Sequence, residues 1–354
     1  MQARLAICIA IGTLLLPSSA LAQKKKKPKK EPPEITQVLE LPKDPPLTVV
    51  ADTERLGFHI SPLSSKGLLS QQIKDAIKAL WTNARGAQIV KIRGFVAGSG
   101  DMRRVPAIVS EMFTDKHQPI PAVSVVQVGS LPLDGAQVVL EAMSVNRKPV
   151  NPNGLAFISG QAATVADPLT PLQAAMTGVE PKAITCFMNM LDKVNDVRAK
   201  IASAYPAAAM NFVQLRRDTL GDFVECEAVG AVQQPIGKPV EYRGIKENRY
   251  ADAVLLGPGK IVISGMQMAF GSGEQDIRLA YGRLEKAIAP ASAKLADIVV
   301  ARLYPLSTAA AEAVGKVRFE FSNGKQPPST TMLVFEGLPS LDAAFAMEMI
   351  ALPR

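Results

Sequence analysis

Histidine is scarce in this chain of 354 residues, which contains only His59 and His117. No Cys-x-x-Cys pair is present either. A zinc site built from several histidines is therefore excluded, and only two histidines are available for a Ser-His-Asp catalytic triad. We expect neither a metal nor another cofactor.

Cysteine is almost as rare, with three residues in the whole chain. Cys8 lies in an N-terminal apolar run, while Cys186 and Cys226 lie in the strand-like runs ITCFM and VECEA. Two cysteines are not a disulfide framework, although an oxidising compartment would let them pair. Core packing without a bond is the favoured interpretation, and a bridge stays open.

Aromatic residues make up only 5% of the chain, and most of its net positive charge comes from the N-terminal segment. Without Arg4 and the six lysines between residues 24 and 30, the net charge falls from +8 to +1. The remaining part therefore lacks the basic, aromatic-rich face that RNA or DNA binding needs. We expect no nucleic-acid partner for the folded part.

Long apolar runs are also absent, apart from residues 5–16 near the N-terminus. This run follows Arg4 and precedes the small-residue pattern Ala20-Leu21-Ala22. That order is typical of a secretory signal peptide, and the run is too short for a membrane span. We expect residues 1–22 to be removed and the protein to be exported, with the periplasm as the best assignment.

The next segment, residues 23–48, is rich in lysine and proline and begins QKKKKPKKEPPE. Mutually repelling lysines and helix-breaking prolines predict a disordered tail. Such a tail can contact an anionic surface, but a solvated spacer is the favoured interpretation.

The rest of the chain repeats one pattern three times. Residues 121–143 (PAVSVVQVGSLPLDGAQVVLEAM) align with residues 328–350 (PSTTMLVFEGLPSLDAAFAMEMI), with the prolines and glutamates at the same spacing. A weaker copy covers residues 206–228 and reaches its glutamate one residue later. Each copy reads strand, helix, strand, helix, strand, strand, which predicts an α+β or α/β unit, and α+β is the favoured class.

The boundaries of these copies are predicted at residues 49–146, 147–232 and 233–354, which we call repeats 1, 2 and 3. Repeat 2 carries Pro168, Pro171 and Gly178 where repeat 3 has a long amphipathic helix. We therefore expect the first helix of repeat 2 to be shortened.

The motifs in the repeats resemble those of the Rid (YjgF) family of reactive intermediate deaminases. The matching residues are Tyr250-Ala251-Asp252-Ala253-Val254, Ser159-Gly160-Gln161, Pro121-Ala122-Val123-Ser124, Leu131-Pro132 and Val224-Glu225-Cys226-Glu227-Ala228. The resemblance implies a chorismate-mutase-like fold, with a mixed sheet and two helices, that forms trimers with ligand clefts between neighbours. Three copies in one chain then predict an intramolecular pseudo-trimer that is a monomer in solution.

The resemblance also implies which residues line the clefts. The family's carboxylate-binding arginine is replaced in all three repeats, by Val123, Ala208 and Thr330. A glutamate that positions water is retained in all three, as Glu141, Glu227 and Glu348. In repeat 3, the cleft residues are Tyr250, Ser264 and Gly265.

The motif glutamates, and two arginines on neighbouring strands, also have a purely structural interpretation. The glutamates can cap a turn or face solvent at a strand end. Arg93 and Arg302 occupy equivalent positions where repeat 2 has Thr185, and they can replace the missing cation if that strand face lines a cleft. A structural, ion-paired arginine is the favoured interpretation.

The family's reaction is the cofactor-free hydrolysis of 2-imino acids to 2-keto acids and ammonia. Retained glutamates favour such a deaminase, whereas the three missing arginines predict a degenerate one. The alternative is a non-catalytic exported protein that binds a small ligand in clefts between repeats, or a partner protein on its surface. Ribonuclease activity is the third candidate function, and chorismate mutase activity, which the fold alone suggests, is the fourth.

Overall fold

A computed structural model describes residues 41–98, 100–217, 221–247 and 249–354 of the chain. The predicted signal peptide and most of the lysine-rich tail lie outside these residues. No helix in the described part is long and apolar enough to cross a membrane. The first regular element is the strand β1 (Thr48–Asp52).

Repeat 1 forms a four-stranded sheet covered by two helices. Helix α1 buries Ile73, Ile77 and Leu80, which recur at helical spacing and face the sheet. The strand order is β2-β5-β3-β4, in which β3 and β4 are parallel and the other pairs antiparallel. Its elements are β2 (Leu56–Ile60), α1 (Leu69–Ala84), β3 (Gln88–Ala97), α2 (Arg104–Asp115), β4 (Ala122–Val128) and β5 (Val138–Val145).

Repeat 2 has the same strand order, β6-β9-β7-β8, but a much shorter first helix. Helix α3 has 6 residues, compared with 16 in α1. Pro171 lies at its start, and Gly178, with φ of 71°, turns the chain directly into the next strand. The elements are β6 (Leu155–Ala163), α3 (Thr170–Ala175), β7 (Val179–Met188), α4 (Val194–Ala204), β8 (Ala209–Gln214) and β9 (Val224–Val232).

Repeat 3 keeps this order, but its first strand is broken into β12 and β13, which both pair with β16. Strand β16 in turn pairs with β14, and β14 pairs with β15. An additional hairpin, β10 and β11, precedes it. The elements are β10 (Val240–Lys246), β11 (Tyr250–Leu256), β12 (Lys260–Ser264), β13 (Gln267–Phe270), α5 (Glu274–Ile288), β14 (Ile298–Pro305), α6 (Thr308–Val317), β15 (Ser329–Met332) and β16 (Ala343–Ala351).

Backbone hydrogen bonds connect each repeat with the other two. Strand β1 of repeat 1 pairs with β12 of repeat 3, and β11 of repeat 3 pairs with β6 of repeat 2. Repeats 1 and 2 are joined where the Gly129 amide donates to the Gln214 carbonyl at 2.9 Å. Three segments with the same topology are therefore hydrogen-bonded to one another within one chain.

Repeat 1 has its own four-stranded sheet, whereas β1 and the strands of repeats 2 and 3 form one 12-stranded sheet. The inner faces of all three repeats share an apolar core. Phe95 of repeat 1 contacts Phe187 of repeat 2, with ring centroids 6.0 Å apart, and Phe187 contacts Phe335 of repeat 3 at 5.8 Å. All three rings are fully buried. In each repeat, helices cover one face of the strands and the other two repeats cover the opposite face. This burial on both faces explains near-continuous apolar strands such as AVSVVQV.

The two cysteines of repeat 2 form a disulfide bond between Cys186 on β7 and Cys226 on β9. The favoured expectation of core packing without a bond is therefore wrong, although both residues are buried as that expectation required. They lie directly opposite each other in the antiparallel register, on the face that packs against the helices. Directly opposite side chains on one face of a sheet are close enough to be bridged.

Candidate functional site

The three motif glutamates occupy the same place in each sheet. Glu141 lies opposite Arg93, Glu227 lies opposite Thr185, and Glu348 lies opposite Arg302. The strands are β3 and β5 in repeat 1, β7 and β9 in repeat 2, and β14 and β16 in repeat 3. Because the three inner faces meet, these side chains converge at the centre of the molecule.

Together they form a buried cluster of three carboxylates and three cations, which we call the central charge cluster. The Arg93 Nη2 atom lies 2.6 Å from a carboxylate oxygen of both Glu141 and Glu227. Arg302 Nε donates to Glu227 at 2.9 Å. The charges balance within the cluster, whose members are Lys91, Arg93, Glu141, Glu227, Arg302 and Glu348.

Two other oxygen atoms of the cluster accept hydrogen bonds from neutral side chains. Thr185 Oγ1 and Asn211 Nδ2, both from repeat 2, donate to Oε1 of Glu141 at 2.6 and 2.7 Å. The Tyr304 hydroxyl donates to Oε1 of Glu348 at 2.8 Å, and Lys91 Nζ lies 2.6 Å from Oε2 of that residue. Each repeat thus supplies partners for another repeat's glutamate.

These contacts hold Glu227 and Glu348 in the ionised form. Burial alone would raise the pKa of Glu348, but Lys91, Arg302 and Arg93 bring it well below its ordinary value. Burial is likewise outweighed at Glu227, whose pKa is lowered by Arg302 and Arg93. The cavity beside the cluster measures about 40 Å³, and the charged side chains that line it already pair with one another. The geometry favours a structural role for the motif glutamates.

A larger cleft, with a volume of about 610 Å³, lies between repeats 2 and 3. Tyr250 and Thr330 line it from repeat 3, and Gly160 and Gln161 line it from repeat 2. The Thr330 amide donates to Ser159 Oγ at 2.9 Å, so the Ser-Gly-Gln motif of one repeat is fixed against the arginine-equivalent position of the next.

Glu225 on β9 is the acidic group that stands out in this cleft. Burial, and then the nearby Glu227 carboxylate, raise the pKa of Glu225 to about 7. Within the described part of the chain, no cation pairs with it. A Cβ atom built on Gly160 would overlap the Glu225 carboxyl group, so only glycine leaves room for it there. The cleft therefore contains a carboxyl group suited to proton transfer near neutral pH.

The opposite walls of the cleft come from the short helix α3 and the additional strand β10. The cleft is lined on α3 by Pro171, Ala174 and Ala175, and on β10 by Arg243 and Lys246. The Arg243 guanidinium is engaged by Glu241 at 2.7 Å and by the Thr177 carbonyl. The cleft is therefore lined both by the short helix of repeat 2 and by the additional hairpin that precedes repeat 3.

The other predicted cleft residues lie elsewhere. Val123 is buried against the helices of repeat 1, and its carbonyl accepts from the Met266 amide at 3.1 Å. Ser264 is buried, and its hydroxyl accepts from the Met349 amide, while Gly265 lies close to the Val123 carbonyl. Ala208 packs against the core of repeat 2.

Ser264 and Gly265 thus belong to the boundary between repeats 3 and 1. Tyr250 shares its cleft with the equivalent motif of repeat 2, Ser159-Gly160-Gln161. Sequence reasoning grouped Tyr250 with the motif of its own repeat, because the pairing of β11 with β6 was not foreseen.

Two residues that line the cleft, Glu225 and Arg318, are not among the site residues predicted from the sequence. Glu225 precedes the motif glutamate of repeat 2 by two residues in VECEA, so the period of a strand places both on one face. That spacing was a usable signal. Arg318, which also lines the cleft, follows α6 in a 3-10 turn and carries no motif that would have identified it.

No protein-family model matches the chain, and no curated protein matches it. Among solved structures, Rv2704 from Mycobacterium tuberculosis, a member of the YjgF/YER057c/UK114 family, is 28% identical and covers 26% of this chain and 77% of its own, with a TM-score of 0.24. The Escherichia coli YjgF gene product is 23% identical and covers 29% of this chain and 94% of its own, also with a TM-score of 0.24.

A third similar structure is Escherichia coli TdcF with bound serine, which is 19% identical, covers 30% of this chain and 96% of its own, and has a TM-score of 0.24. Structures of the YjgF/Rid family recur among these neighbours, as the sequence motifs predict. Each neighbour covers only one part of the chain.

Proposed function

We propose that this protein is a Rid-like pseudo-trimer in which the three repeats of one chain replace three subunits. The repeated strand order and the central charge cluster support this closure, because each repeat contributes charged groups to one buried site. Its motif glutamates hold the repeats together, and the cleft between repeats 2 and 3 binds a small molecule.

One observation carries this assignment. All three motif glutamates are used in the central charge cluster, whereas Tyr250, Thr330 and Gly160 line an open cleft of about 610 Å³. A concave site with a few convergent polar groups is the usual form of a small-molecule site. The protein is then degenerate in the family's chemistry and retains binding.

Export to an oxidising compartment is part of this proposal. The N-terminal signal-like segment motivates it, and the buried Cys186–Cys226 bond supports it, because disulfides persist mainly in extracellular and periplasmic proteins.

A cleft-blocking variant tests the binding function. Ala174 is exposed and lines the cleft from α3, so Ala174→Trp fills the site without changing the core. In a ligand-observed NMR screen of small soluble molecules, binders of the wild type should be lost in Ala174→Trp. The matched control is Ala199→Trp, on the exposed side of α4 and outside the cleft lining, which should keep them. Binders that survive Ala174→Trp would contradict the proposal.

Imine hydrolysis is the second candidate, and Glu225 favours it. The pKa of about 7 lets this carboxylate take a proton from water as the water adds to the imine carbon. Returning that proton to the nitrogen gives a carbinolamine. Transfer of its hydroxyl proton to the nitrogen then breaks the C–N bond, which releases ammonia and leaves the keto acid. This assignment moves the acid/base role from the predicted Glu227 to Glu225.

Freshly generated 2-iminobutyrate tests the second candidate through ammonia release. Wild-type activity should fall as the pH drops below about 7, because the working form of Glu225 is the ionised one. Glu225→Gln should lower the rate by about 100-fold or more, and Arg103→Met, at an exposed site in repeat 1, should not change it. Equal rates for the wild type and Glu225→Gln would exclude this mechanism.

A further inference from the structure

Arg318 stands at the junction of two cavities. It lines the cleft between repeats 2 and 3, and it also lines an apolar pocket beneath the cleft, in repeat 3. Thr330, at the position equivalent to the family's arginine, lines both cavities as well. A cation has therefore been placed beside Thr330 from a different element, the 3-10 turn after α6.

This guanidinium lacks an anionic partner in the described residues. Its Nε atom is buried and donates no hydrogen bond in the described part of the chain, and the Phe319 ring lies 4.8 Å from the guanidinium. Burial lowers the pKa of Arg318, and a second cation, Arg249, lowers it further. Burying an unpaired charge is costly, and a bound anion would remove that cost.

The pocket below is built for an apolar group. Its walls include Leu295, Ile298, Ala301 and Leu303, and the rings of Tyr281 and Phe321 stack at its edge with centroids 4.7 Å apart. The pocket measures about 30 Å³, which is the space of two or three water positions. That is enough for a short, branched aliphatic chain and too little for a long one.

We propose that Arg318 binds the carboxylate of a short aliphatic acid whose hydrocarbon chain enters the apolar pocket of repeat 3. The inference rests on the proposed binding function and names the ligand class for it. The planar guanidinium fork suits a carboxylate, and a guanidinium with no anionic partner in the described residues suits a ligand with one negative charge. The shared lining by Arg318 and Thr330 places the anionic and apolar subsites side by side.

Three probes separate charge from chain: isovalerate, its neutral amide isovaleramide, and acetate. In NMR titrations of the wild type, isovalerate should bind at least 10-fold more tightly than isovaleramide, because the amide cannot accept a charge-assisted bond. Acetate, with three carbons fewer, should bind on the order of 50-fold more weakly than isovalerate.

Arg318→Met should lower the affinity for isovalerate by about 10-fold or more and abolish the preference over the amide. The control Arg103→Met, at an exposed arginine of repeat 1, should change neither. Equal binding of the acid and the amide, or unchanged binding in Arg318→Met, overturns the inference and leaves the cleft a binding site. If no probe binds the wild type, the inference is also overturned, and the Ala174→Trp screen decides separately whether the cleft binds anything.

Discussion

Replacing Arg93 with methionine should lower the free energy of unfolding by about 3–5 kcal/mol. Arg93 lies within ion-pair distance of all three motif glutamates, at 2.6 Å from Glu141, 2.6 Å from Glu227 and 3.8 Å from Glu348. Without it, the three carboxylates of the cluster share two cations, and Glu227 and Glu348 are buried. Equilibrium unfolding in urea measures the loss.

The matched control for this prediction is Arg103→Met. Arg103 also pairs with a carboxylate, Asp101, at 2.9 Å, but its side chain is exposed. Exposed pairs contribute about 0–1 kcal/mol, so this variant should unfold close to the wild type. If both variants lose the same small amount, the central charge cluster does not hold the repeats together.

Removing the disulfide bond should also have a large effect. The bond closes a loop with a sequence separation of 40 residues, and the chain-entropy model assigns about 4 kcal/mol to a loop of that length. Repeat 2 depends on this link, because α3 provides only 6 residues of helix over its sheet. The double variant Cys186→Ala/Cys226→Ala should therefore unfold at lower urea concentration, by about 3–4 kcal/mol in free energy.

Reduction separates the bond from the packing of the sulfur atoms. Wild-type protein refolded in a thiol reductant should lose most of the same stability, and the reductant should not affect the double variant. A wild type that is equally stable with and without reductant would show that the link between β7 and β9 contributes little to repeat 2.

Much of the fold could be predicted from the sequence, because the repeated motifs mark repeated elements. The apolar spacing of residues 191–205 and 273–289 is helical, and the bounds of α4 and α5 lie within three residues of these ranges. The pairing between repeats could not be predicted, since a strand such as β11 has the same composition whichever neighbour it joins. The disulfide was underestimated for a similar reason: the opposition of Cys186 and Cys226 depends on the register of β7 and β9.

The candidate site was predicted only in part. Tyr250 and Thr330 do line one cleft, whereas Glu141, Glu227 and Glu348 lie in the centre of the molecule. A sequence motif identifies a glutamate, but its role depends on which charges meet it across repeats. The ion-paired interpretation of Arg93 and Arg302 was favoured and is what the structure shows. Arg318 could not be found, because its importance comes from the absence of a partner.

The central claim is that the motif glutamates hold three repeats together within one chain. The coupling free energy between Arg93 of repeat 1 and Glu227 of repeat 2 tests it most directly, from the unfolding of Arg93→Met, Glu227→Gln and the double variant. The double variant restores equal numbers of cations and carboxylates, so we expect it to be more stable than the sum of the single losses predicts, by about 1.5–3 kcal/mol. Losses that add to within about 0.5 kcal/mol would contradict the claim.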